Sequence, residues 1–174
     1  FAKRADISIF TYGTGLPFLP KAFAGYSSLN VAQVSVPYWL GQPDGLDFAG
    51  SAKHPSNTAL DFKGNALAMA GAEQHIKTPH LVVSDYEPIA AQYAYAMGAP
   101  LVTLDQQSKY LGAALPACLV GTGYADEVQR LSMFFPKADA RLACSFFEVP
   151  QKKSDVQLIP PIFGSEVKGL KRTP

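Results

Sequence analysis

The sequence predicts an α/β fold, an open and mostly parallel sheet with helices on both faces. Three observations predict it. Short runs of β-branched and apolar residues alternate along the chain with stretches of helical pattern. The later strand runs are continuously apolar instead of alternating in and out, as in strands covered on both faces. Polar residues follow these runs at their C-terminal ends, the edge at which open parallel sheets bind ligands.

The elements follow in order. Residues 6–12 alternate through Ile7, Ile9 and Phe10 and read as a strand that stops at Gly13. A turn, Gly13-Thr14-Gly15, comes next, and Pro17 and Pro20 limit the following helix over 16–23 to a first turn or an irregular piece. Residues 29–36 form a second strand. From Pro37 to Pro55 the chain is rich in Gly, Pro and Asp and reads as one long loop carrying Tyr38 and Trp39. Asn57 is expected to cap a helix running to about Ile76, with Leu60, Asn65, Leu67, Met69 and Ala70 on its inner face. A short apolar strand at 81–83 leads to a helix over 88–97, opened by Pro88 and closed by Gly98. A strand at 100–104, a helix at 124–135 and strands at 140–144 and 156–159 complete the alternation. No internal repeat or low-complexity segment appears. Residues 161–174, with Lys168, Lys171, Arg172 and several Gly and Pro, read as a linker leaving a domain that occupies 1–160.

Composition limits the function. The 174 residues, 48% hydrophobic and 17% charged, suffice for one well-buried core. Fifteen Lys+Arg against fourteen Asp+Glu leave a net charge of +1, which offers a nucleic acid no general attraction. No apolar stretch reaches the roughly 20 residues of a spanning helix. Cys118 and Cys144 lie far apart without metal-ligand spacing, so reduced thiols in the cytosol are expected and neither a zinc site nor a disulfide framework is.

Residues 80–107 carry the functional expectation. They form one β-α-β unit in which Ser84-Asp85-Tyr86-Glu87 follows one strand and Asp105-Gln106-Gln107 follows the next. Asp85, Glu87, Asp105 and Gln106 therefore share the ligand-binding edge of the sheet. Asp85 has a second reading as the cap of the helix that Pro88 opens, and Glu87 one as a first-turn acid favoured by the helix dipole. Gly13 and Thr14, after the first strand, either approach a ligand through their amides or form an ordinary tight turn. Tyr38 and Trp39 either meet a ligand as an aromatic face or apolar lip, or they pack beneath their own loop.

The stretches 81–88 and 97–107 resemble the signature of nucleotide-sugar glycosyltransferases built from two Rossmann-like domains, the GT-B type. The resemblance is to bacterial UDP-glucuronosyltransferase-like proteins and to the peptidoglycan N-acetylglucosaminyl transferase. Weaker similarity extends to 135–139, 145–147 and 158–162.

The resemblance implies an acceptor-binding domain whose partner, a C-terminal donor domain, holds most of the nucleotide sugar. It implies a first strand and a Gly-rich, His-bearing turn before Phe1, so the chain is expected to be an incomplete GT-B N-terminal domain, inactive alone. It implies transfer of a sugar from a nucleotide-sugar co-substrate to the hydroxyl of a sugar or lipid-linked acceptor, with no other cofactor, in the cytoplasm or at the inner face of the membrane by peripheral association; no DxD motif is seen, so the transfer is expected to be metal-independent. Asp85 and Glu87 become candidates for holding the acceptor or orienting a base, and Asp105 and Gln106 for lining the same cleft. His54, His75 and His80 match no base position of the family. Two other readings stay open: half of a UDP-sugar 2-epimerase, and a non-catalytic sugar-binding or assembly subunit.

Overall fold

The computed structural model describes residues 5–43, 45–114, 118, 123–150 and 155–162. The linker expected at 161–174 lies outside them except for Pro161 and Ile162.

The first strands fall where the pattern puts them. β1 (Ile7–Thr11) pairs in parallel with β2 (Leu29–Gln33), Ile7 opposite Leu29 and Thr11 opposite Gln33. Gly13 takes the left-handed turn after β1 at φ 56°. Between the strands runs α1 (Gly15–Ala22), a full helix where only a turn was expected. Pro17 sits in the first turn, whose amides have no helical partner, and Pro20 removes a single bond, so two prolines do not stop it.

The long loop is more regular than its composition suggests. β3 (Leu40–Gln42) and β4 (Gly45–Asp47) form an antiparallel hairpin, followed by the short helices α2 (Phe48–Lys53) and α3 (Pro55–Thr58). Asn57 does not cap a long helix. Its amide is committed across the loop, accepting from Tyr38 N at 2.7 Å and donating to Tyr38 O and Ser51 O, each at 2.6 Å. The cap is Asp61, which accepts from Gly64 N at 2.7 Å and opens α4 (Phe62–His75). The inner face of α4 also differs from expectation. Leu67 is 64% exposed, whereas Asn65 and Ala72 are buried, and Asn65 bonds both Ser35 N and Ser35 O just after β2. Asn65, expected on this face, is buried there because it closes the backbone of the neighbouring loop.

The second half is a parallel sheet of four strands in the order β5 (Val82–Ser84), β6 (Leu101–Asp105), β7 (Ala140–Cys144) and β8 (Val156–Ile159). Ser84 lies opposite Thr103, Asp105 opposite Ala143, and Cys144 opposite Ile159. β5 is an edge strand, which is why Leu81 and Val83, expected inside, are about half exposed. The strands are joined by α5 (Pro88–Met97), the short α6 (Lys109–Gly112) and α7 (Gly123–Phe134). Gly98 closes α5 in the left-handed conformation, φ 61°.

The core lies between α5, β6 and α7. Ala91 and Ala94 present a flat helix face to Leu101, Leu131 and Phe135, all within 2% of full burial, and Val82, Tyr86 and Phe134 close its rim. No helix among the described residues is long and apolar enough to cross a membrane.

Candidate functional site

The C-terminal ends of the four parallel strands open onto a cavity of about 520 Å³. Asp85 and Tyr86 follow β5, Asp105 ends β6 and Gln106 and Gln107 follow it, Cys144 ends β7 with Phe146 beyond, and Pro161 and Ile162 follow β8. The volume is in the range of small-molecule sites. Of the residues singled out in the sequence, the fold brings Asp85, Asp105 and Gln106 together here. Gly13 and Thr14 stand at the end of β1 and do not line it.

The two motif carboxylates on the β5–α5 turn have separate tasks. Glu87, not Asp85, caps α5: it is buried, Oε2 accepts from Ala90 N at 2.8 Å, and Oε1 accepts from Ile89 N. Pro88 at the first helical position fixes this by counting, since the residue before it is the cap. Ser84 tightens the turn, its hydroxyl donating to Glu87 O at 2.6 Å. Burial pushes the Glu87 carboxyl above its ordinary range, and the Ala90 and Ile89 amides pull partly back. Replacing Glu87 by Ala is expected to cost about 1–2 kcal/mol, measured by urea unfolding, with Gln recovering part of the loss because one acceptor remains.

With the cap supplied by Glu87, Asp85 is left to the cavity. It is exposed and makes no hydrogen bond or ion pair among the described residues. Partial desolvation, and then the Asp105 carboxylate, raise its pKa above the ordinary 3.8. Asp105 is the anchored member. It is 4% exposed, and both its oxygens accept from Ser108, from the amide at 2.5 Å and the hydroxyl at 2.7 Å. Gln106 is exposed beside it.

Tyr86, between Asp85 and Glu87, is the one non-glycine residue with positive φ among those described, at 57°. Its hydroxyl donates to Glu127, whose other oxygen accepts from Arg130. The Arg130 guanidinium lies over the Tyr86 ring, 4.9 Å from its centre, and 6.0 Å from the Trp39 ring. Burial, then the Glu127 hydrogen bond, hold the phenol neutral well above its usual range. Trp39 packs edge-on against Phe48 and tilted against Phe134, so it lies beneath its loop. Tyr38 is half exposed and faces the His54 ring at 4.5 Å.

The histidines have local tasks or none. His54 accepts from Ser56 N at 3.2 Å, His75 reaches Ser28 O at 3.3 Å, and His80 is exposed ahead of β5. No group of three His, Cys, Asp or Glu among the described residues is placed to hold a metal.

The profile of a family described as glycosyl transferase family 1 matches residues 63–174, more than half of the chain. The chain belongs to glycosyl transferase family 1. No curated protein and no solved structure matches it. The glycosyltransferase match contains every residue that lines the cavity, and it stops short of β1 and β2. The four-stranded parallel sheet flanked by helices is the Rossmann-like architecture expected of such a glycosyltransferase, and the match supports a role in glycosyl transfer. The sequence reading missed Tyr86, Gln107, Cys144, Phe146 and Ile162 as lining residues of this glycosyltransferase domain. Their signal was position alone: each lies at or just beyond the end of a parallel strand.

Proposed function

We propose that the chain is the acceptor-binding domain, residues 1–160, of a two-domain glycosyltransferase that moves a sugar from a nucleotide-sugar donor to an acceptor hydroxyl. The observation that carries this reading is Asp85: a carboxylate with no hydrogen bond or ion pair among the described residues, in a cavity at the C-terminal edge of the sheet, its pKa raised by partial desolvation and by Asp105. Transfer requires that the hydroxyl be held and deprotonated as it attacks the anomeric carbon. In this reading Asp85 holds that hydroxyl or orients the group that deprotonates it, while Asp105 and Gln106 line the acceptor's bed. Glu87 supports the turn from behind. Gly13 and Thr14 belong to the neighbouring β1 edge and would meet only a ligand that extends past the cavity.

Two further observations support the division of labour. The described residues lining the cavity include no Lys, Arg or His, which suits a division of labour in which a separate donor domain, beyond 161–174, meets the charge of the leaving diphosphate. Phe146 and Ile162, about 70% exposed at the rim, suit the apolar part of a lipid-linked acceptor, which would bring the protein to the membrane surface peripherally. A first β-α unit of such a domain, ahead of Phe1, is in keeping with two further features. Among the described residues β1 and β5 are each paired on one side only, and Phe10 of β1 packs edge-on against Tyr93 of α5 at 5.5 Å.

The test is mass spectrometry of the full-length protein incubated with a panel of nucleotide sugars and with sugar and lipid-linked acceptors. The expected result is an acceptor heavier by one sugar. A 2-epimerised sugar without an acceptor product, or no turnover of any donor, would overturn the reading.

A further inference from the structure

Tyr86 bears a conformational burden that its neighbours do not. A bulky side chain in the left-handed region is strained, and such strain persists only where surrounding contacts over-determine it. Those contacts come from one face of α7. Glu127 and Arg130, one helical turn apart, have side chains only 14% and 13% exposed. Glu127 takes the Tyr86 hydroxyl on one oxygen and Arg130 on the other. Arg130 covers the Tyr86 ring, and Phe134 stands at its side, 6.1 Å between ring centres. Glu87 and Ser84 fix the far side of the turn. With both flanks pinned, the direction of Asp85 is set by the backbone of the single residue between it and the cap.

We propose that Tyr86, clamped by Glu127 and Arg130, is the positioning residue that aims Asp85 into the cavity beside Asp105. The Glu127–Arg130 pair is thus the remote support of the acceptor site, 41 residues along the chain from Tyr86 to Glu127. Loss of the clamp lets Tyr86 relax toward an extended backbone, and Asp85 turns away from Asp105 into water. The proposal deepens the acceptor-domain reading and, for catalysis, rests on it.

The experiment follows the Asp85 carboxyl carbon by NMR titration in the wild-type chain, Tyr86→Phe and Glu127→Gln, with a thermal melt of each. Tyr86→Phe keeps the ring and removes only the hydroxyl. Glu127→Gln keeps an acceptor and removes the charge. Both are expected to stay folded, with the Asp85 midpoint falling from its raised value toward 3.8. In the full-length enzyme kcat/KM should fall about tenfold or more, as a displaced group demands. An Asp85 midpoint unchanged in whichever variant remains folded would overturn the proposal. Should both variants fail to fold, Arg130→Lys is titrated in their place with the same criterion. If the midpoint moves but no donor and acceptor give a product in the wild-type enzyme, the positioning role stands and glycosyl transfer falls.

Discussion

Replacing Asp85 by Asn in the full-length enzyme is expected to lower kcat/KM about 100-fold or more while leaving the melting temperature nearly unchanged. The two halves of this expectation come from the same geometry. Asp85 accepts no amide of the α5 turn, because Glu87 occupies that position with both oxygens, so its removal uncaps nothing. In the proposed reading it faces the cavity as the one lining carboxylate among the described residues that carries no hydrogen bond, since Asp105 gives both its oxygens to Ser108.

The pH dependence follows with its sign. The folded-state pKa of Asp85 lies above 3.8, so the folded chain holds this proton more tightly than the unfolded chain. The stability contributed by the neutral acid is present below pH 3.8 and is lost as pH rises through the raised value. If Asp85 holds the acceptor hydroxyl as proposed, activity runs the other way, because the ionised carboxylate is the form that accepts that hydrogen bond. An acidic limb in kcat/KM should therefore lie above the pH of an ordinary aspartate, and it should vanish in Asp85→Asn. A variant that kept its turnover and lost thermal stability would return Asp85 to a structural role.

How much of this was legible in the sequence depends on the range of the interactions. The β5-α5-β6 unit was legible because local chemistry determines it: apolar runs of strand length, Pro88 at the opening of the helix and Gly98 at its close. The cap of α5 was also legible in principle, as Pro88 leaves Glu87 the only residue in the capping position. The α4 boundary was misplaced for a non-local reason. Asn57 and Asp61 are both good caps by type, and the choice was made by Tyr38 and Ser51, which engage the Asn57 amide. The short hairpin β3–β4 gave no period-2 pattern long enough to recognise, and part of its support, Asp126 accepting from Leu46 N at 2.8 Å, comes from 80 residues away. The clamp on Tyr86 is of the same kind. Nothing in the local pattern around Glu127 and Arg130 distinguishes them from a solvated i,i+3 pair on an amphipathic helix. Only the packing of α7 beside the β5–α5 turn buries them.

The complementary prediction concerns Phe135, whose replacement by Ala should cost about 3–5 kcal/mol and lower the melting temperature on the order of 10 °C. The ring is fully buried at the end of α7, against Ala91 and Ala94 of α5 and Leu101 of β6. Its small helical neighbours have no side-chain length with which to fill the vacated volume. The backbone there is equally constrained, with Phe135 N bonded to Leu131 O at 2.8 Å and Phe135 O to Arg141 Nη2 at 2.7 Å. A cavity that cannot collapse carries the full penalty. Well below the new melting temperature, the same variant should retain kcat/KM within a few-fold, since Phe135 does not line the cavity. Asp85→Asn and Phe135→Ala should thus have opposite phenotypes in paired assays of turnover and urea unfolding. A cost below about 1 kcal/mol for Phe135→Ala would mean that the α5–β6–α7 layer is not the core on which the site is built. Turnover lost in proportion to stability in both variants would mean that the cavity edge cannot be separated from that core.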